Sequence, residues 1–174
     1  MSFSPGRSEG AVEAVRVAHG GDVVELARLA SACRAELATR RGGQLWSAYE
    51  ADPDLGATLA RAIDDPTWRV VVGTWCDVTV AAGAVHAVGL RDGSTIGILE
   101  LLYVEDGFRE VAVGEVVMDD LLDWARGAGC RALDALALPG MRETKNFFER
   151  FGMKARALRI SIDLDGADDD VDPA

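Results

Sequence analysis

Residues 95–129 read TIGILELLYVEDGFREVAVGEVVMDDLLDWARGAG, and the fold turns on them. Thr95 to Val104 is apolar almost without a break, the pattern of a central strand covered on both faces. A tight turn follows. Val113, Val117, Leu121 and Trp124 then recur at helical spacing, with Glu115, Asp119, Asp123 and Arg126 on the opposite stripe. A helix is therefore expected from about Val111 to Ala128, ended by Gly127 and Gly129. Its mouth carries Ala112, Val113 and Gly114, with Arg109 three positions before them. The first turn of a helix leaves backbone N–H groups unpaired and bears about half a positive charge. Small residues there let an anion reach the backbone, so the mouth is a candidate phosphate cradle.

Working outward, Val12 to Ala18 reads as a first strand. Asp22 with Glu25 three residues on reads as a capping pair. The helix behind it places Val23, Leu26, Ala30, Cys33 and Leu37 on one face and ends near 40–43. The stretch 44–65 has little pattern beyond a short helix from Asp54 to Ala62. Strands follow at Trp68 to Thr74 and at Val78 to Leu90, with Asp77 in the turn between them. The second places Val80, Ala84, His86 and Val88 on one face. Arg91-Asp92-Gly93 turns the chain into the central strand. Beyond the long helix come a strand from Ala132 to Leu138, a Pro139-Gly140 turn, a helix from Met141 to Phe151 stopped by Gly152, and a last strand from Met153 to Leu164. Strands joined by short turns are antiparallel neighbours, and the helical crossover makes the fifth parallel to the fourth. The expected class is α/β (α+β), a mixed, mostly antiparallel central sheet with helices on both faces. Residues 1–10 form a loose tail, 11–164 a single domain and 165–174 an acidic tail too polar to pack.

Composition narrows the function. The chain has 174 residues, 49% hydrophobic and 27% charged, in keeping with one soluble globular domain. A formal charge of −11 argues against nucleic acid, which needs clustered Lys and Arg, and suits a cationic amine as partner. No run is long enough to span a membrane, and the N-terminus lacks the apolar core of a secretory leader, so a cytoplasmic location is expected. Cys33, Cys76 and Cys130 are odd in number and far apart. They read as buried reduced thiols, not as a disulfide framework or metal site.

The mouth of the long helix resembles the acyl-CoA-binding motif of the GCN5-related N-acetyltransferases (GNAT). That motif has Gln or Arg, two spacers, Gly, one spacer, then Gly or Ala, after strand 4. Here it stands as Arg109-Glu110-Val111-Ala112-Val113-Gly114. About forty residues downstream, Phe147-Phe148-Glu149-Arg150-Phe151-Gly152-Met153 resembles the family's closing Leu-Tyr-x-x-x-Gly-Phe motif. The resemblance covers most of the chain and implies the GNAT-like acyl-CoA N-acyltransferase fold.

It also implies a reaction, transfer of an acetyl group from acetyl-CoA, as co-substrate and without a metal, to a primary amine on a small molecule or protein. The pantetheine arm would pair with the fourth strand through Leu102 and Val104. The diphosphate would rest on the amides of Arg109, Glu110, Val111, Ala112, Val113 and Gly114. Lys145, with Arg142, would reach the coenzyme phosphates, and Asn146 the pantetheine. Glu100, read as sharing a face with Ile98, Leu102 and Val104, is the candidate general base, with His86 in reserve. The family's strand-4 glutamate lies two residues earlier, at Ile98. The usual tyrosine acid is replaced by Phe148, which leaves Tyr103 or water to protonate the thiolate. Trp46 and Tyr49 are candidates to line the acceptor pocket. The resemblance admits a homodimer, through exchange or pairing of the last strand. A binding or regulatory module of the same fold without catalysis is the alternative reading.

Overall fold

The computed structural model describes residues 12–162 and 164. The expected tails at 1–10 and 165–174 lie outside the described residues. The chain forms two compact units, Met1–Gly140 and Met141–Ala174. The first holds strands β1 (Glu13–Val17), β2 (Trp68–Trp75), β3 (Val78–Gly89), β4 (Thr95–Val104) and β5 (Cys130–Asp134). It also holds helices α1 (Val23–Ala38), α2 (Gly43–Tyr49), α3 (Leu55–Ala62) and α4 (Val113–Gly127). The sheet order is β1-β2-β3-β4-β5, antiparallel throughout except for the parallel β4–β5 pair. No helix among the described residues is long and apolar enough to cross a membrane.

Each face of the sheet has its own core. On one, Leu26, Leu29 and Ala30 of α1 and Leu59 and Ala62 of α3 pack with Val70, Val72, Ala82, Ala84 and Leu101. On the other, Val113, Val117 and Leu121 of α4 pack with Val71, Val80, Ala81 and Val85. Two glycines seat α4. A Cβ on Gly83 would stand 2.6 Å from Val117 and 2.8 Å from Leu121, and one on Gly73 would stand 2.8 Å from Val117. Contacts that short do not occur, so the absent side chains are what let the helix approach the strands closely.

Two strands carry bulges that a period-2 reading does not reveal. In the β2–β3 ladder Gly73 faces Ala81 and Thr74 faces Thr79, which leaves Val80 as the extra residue. Val80 therefore packs on the α4 side, while Ala84 packs on the α1 side. The expected shared face of Val80 and Ala84 is corrected accordingly. In the β3–β4 ladder Ala84 faces Leu101 and Val85 faces Leu99, so Glu100 is the extra residue. A bulge reverses the side-chain phase beyond it.

Other expectations shift in detail. Helix α2, within the stretch that showed little pattern, is new. Asp22 does not cap α1 with its side chain. Its carboxylate instead takes both guanidinium nitrogens of Arg16 at 2.7 Å and the amide of His19 at 2.9 Å. Cys76 is exposed, not buried, because it sits with Asp77 at positive φ in the β2–β3 turn. Burial pushes the Cys33 thiol up to about 12, which makes it a poor nucleophile.

The Arg16 contact fixes a pH dependence. Asp22 is buried, and the Arg16 hydrogen bond lowers its pKa from the ordinary 3.8 to about 2. A carboxylate whose folded pKa is depressed stabilises the fold above the unfolded value and loses that contribution as pH falls through the folded one. Asp22→Asn is expected to cost about 2 kcal/mol at neutral pH. The penalty disappears by about pH 2, as urea midpoints measured at the two pH values will show.

In the second unit α5 (Arg142–Arg150) ends where Gly152 takes φ +79°. The amides of Gly152 and Met153 close its last turn on Glu149 and Phe148. The strand expected from Met153 to Leu164 does not form among the described residues. Leu158, Ile160, Ile162 and Leu164 alternate as a strand would, yet all are more than 80% exposed. Alternation alone does not make a strand, which also needs a partner edge to pair with, and no described residue after Gly152 is in a strand.

Candidate active site

The site begins where β4 outruns β5. Their pairing runs from Thr95↔Cys130 to Ile98↔Asp134, and there β5 ends. Residues 99–104 of β4 continue with that edge unpaired. The backbone directions follow from one contact: the Glu105 amide donates to Val80 on β3. Backbone groups alternate sides along a strand, so those of Val104 and Leu102 face the open edge. The Val104 carbonyl accordingly accepts from Arg109 Nε at 3.2 Å, a group outside the sheet. An extended ligand arm laid along this edge would meet Leu102 and Val104.

The turn after β4 leads to the mouth of α4. Among the described residues, the amides of Glu110, Ala112 and Gly114 donate to no protein acceptor. Those of Arg109, Val111 and Val113 turn back on Asp106, Phe108 and Val111. The three unpaired donors stand at the positive end of a 15-residue helix behind small residues. That donor set fits a diphosphate.

The Arg109 guanidinium is committed elsewhere. It forms a two-pronged ion pair with Glu36 of α1 and lies 5.7 Å over the Tyr103 ring. The Arg109 hydrogen bond holds the Glu36 carboxyl below its usual range. Burial, followed by the charge of Glu36, raises the Tyr103 phenol, so Tyr103 keeps its proton at neutral pH. The cluster ties α1 to the turn that presents the free amides.

Glu100 lies beside the end of the β4–β5 pairing. Its bulge places it differently from the sequence expectation. Leu102 and Val104 pack on the α4 side, whereas Leu101 and Tyr103 pack on the α1 side. Glu100 turns to the α1 side, where its Oε1 meets Nε2 of His86 at 2.8 Å. Ile98 stands opposite His86 in the ladder and so shares that face. Glu100 thus keeps the face of Ile98 and not that of Leu102 and Val104. The structure joins the two candidate bases into one dyad, partly open to solvent. Trp68, to which no functional weight attached in the sequence, stacks on His86 with ring centroids 4.4 Å apart and 13° between planes. Asp134, opposite Ile98 at the end of β5, adds a carboxylate across the gap on the same face.

The remaining candidates are placed as follows. Trp46 is half-buried and Tyr49 exposed on α2. Lys145 and Asn146 lie on α5 in the second unit, where Lys145 Nζ is 2.7 Å from Glu149. Phe148 is buried.

Comparison with known proteins adds an independent line. The model of a family described as "Acetyltransferase (GNAT) family" matches residues 24–153. No curated protein sequence gives a significant match. Among solved structures, a tetramutant of the BH1408 protein from Bacillus halodurans aligns with a TM-score of 0.73 at 16% identity, covering 87% of this chain and 99% of that one. Glucosamine-6-phosphate N-acetyltransferase from Arabidopsis thaliana aligns at 0.63 and 19%, covering 87% and 98%. AAC(6')-Iy, solved with the bisubstrate analog CoA-S-monomethyl-acetylneamine, aligns at 0.65 and 14%, covering 87% and 97%. At these identities the solved structures speak for the fold.

Proposed function

The chain belongs to the GNAT acetyltransferase family, and from that premise we propose that it moves an acetyl group from acetyl-CoA to a primary amine, with Glu100 as general base. The observation that carries the assignment is the Glu100–His86 dyad at the point where β4 and β5 part. Acetyl-CoA supplies an activated acyl group as a thioester. The protein's own task is to hold that group, orient an amine and take up a proton.

The amides of Glu110, Ala112 and Gly114 would bind the diphosphate, and the α4 dipole would favour its charge. The open edge at Leu102 and Val104 would hold the pantetheine arm as an added strand. This aligns the arm with Glu100, two residues upstream of Leu102. Glu100 accepts the amine's proton as the C–N bond forms and the thioester C–S bond breaks. His86 holds the carboxylate in place. Tyr103, protonated at neutral pH, or water returns a proton to the thiolate.

Glu100 places a carboxylate on the acceptor face, in keeping with the overall charge of −11. An acceptor that is cationic in water suits that face. Thiol release from acetyl-CoA, followed across a panel of primary amines and diamines, tests the reading. Amine-dependent release, strongest for cationic amines, is expected. A purified protein that releases no thiol with any amine overturns it.

A further inference from the structure

We infer that Trp68 is a positioning residue, whose indole face holds the His86 ring in the plane that directs Nε2 at Glu100. The inference rests on the reading of Glu100 as the base. Trp68 and His86 are register partners on β2 and β3, so their side chains leave the sheet side by side. The rings lie nearly parallel at 4.4 Å, and the Ala87 amide donates to the Thr67 carbonyl immediately beside them. Trp68 also packs against the α1–α3 core, which restricts its own movement.

The geometry explains why a wall is needed. The terminal torsion of histidine is broad and roughly two-fold, so an unconstrained imidazole samples many planes. Only a narrow range of them keeps Nε2 within hydrogen-bond distance of a carboxylate. The indole face restricts the ring plane and leaves its edge free to meet Glu100. It also attracts the ring when it carries charge, which favours the pair over a displaced imidazole. An aliphatic side chain at 68 would offer no flat face to select a plane.

The chain has two histidines, so histidine-ring nitrogen spectra are simple, and His86→Gln identifies the second ring. Wild-type protein should show contacts between the His86 ring protons and the Trp68 indole, and an Nε2 proton protected from exchange. Trp68→Leu should lose that protected proton while melting cooperatively, and Trp68→Phe should keep it. In the amine assay Trp68→Leu should lower kcat about tenfold with KM for acetyl-CoA unchanged. Trp68→Phe should restore most of the activity. In a Glu100→Gln background Trp68→Leu should have no further effect on kcat.

An unchanged His86 signal in Trp68→Leu overturns the inference, as does an equal kcat loss in the Glu100→Gln background. Absence of the ring contacts in the wild type overturns it without any variant. A Glu100→Gln protein with full activity overturns the base assignment instead. The ring spectra still read the hold of Trp68 on His86 in that case, so the two failures are distinguishable.

Discussion

Glu100→Gln is expected to lower kcat for amine acetylation by roughly 10²–10³-fold while leaving KM for acetyl-CoA within about twofold. The amide keeps the shape of the carboxylate and still meets His86, so the loss isolates proton uptake. Glu100 is partly exposed on a bulge, and the change leaves no buried group unpaired, so the melting temperature should stay within a few degrees. The loss should persist as pH rises, because the proton that Glu100 takes up leaves the neutral amine as the C–N bond forms. Steady-state kinetics against pH check both statements. A variant with wild-type kcat at neutral pH would remove Glu100 from the mechanism.

The second large effect is at the mouth of α4. Ala112 is exposed and stands between two free amides, with no side-chain cap of its own. A carboxylate there suits the positive end of a free helix, worth about 0.3–1 kcal/mol. The same carboxylate would occupy the cradle and repel a diphosphate. Ala112→Asp is therefore expected to weaken acetyl-CoA binding by at least about 100-fold while the melting temperature holds or rises. This separation of binding from stability is the signature of an anion site. A calorimetric titration beside a thermal melt checks it. Unchanged affinity would place the coenzyme elsewhere.

Much of this architecture was legible in the residues. The apolar run at Thr95–Val104 and the helical stripe behind it lead directly to β4, α4 and the cradle between them. Turn signals at Asp77 and Arg91-Asp92-Gly93 set the antiparallel order. The remainder depends on events that local pattern does not encode. Val80 and Glu100 are bulged residues, and a bulge leaves the alternation of types intact while reversing the face each one occupies. Glu100 is therefore legible as a candidate base, but of its three expected neighbours only Ile98 shares its face.

The Trp68–His86 stack shows the same effect. Counting back from the two-residue turn without a bulge pairs Trp68 with Val85. The extra residue at Val80 advances the register to His86. Arg109 pairs with Glu36, 73 positions away, a partnership fixed by the packing of α1 near β4 and invisible to spacing. Asp22 carries every mark of a helix cap, but Arg16 and the His19 amide compete for its oxygens and win. The last strand failed for the opposite reason. Its alternation is strong, but a strand is a relation between two edges and the sequence names only one.

The most direct test of the account is a crystal structure of the protein with coenzyme A. It predicts diphosphate oxygens within hydrogen-bond distance of the Glu110, Ala112 and Gly114 amides. It also predicts the pantetheine arm paired to Leu102 and Val104, with the thiol beside the Glu100–His86 dyad. A coenzyme bound away from the α4 mouth, or an arm that leaves the edge of β4 unpaired, would contradict it.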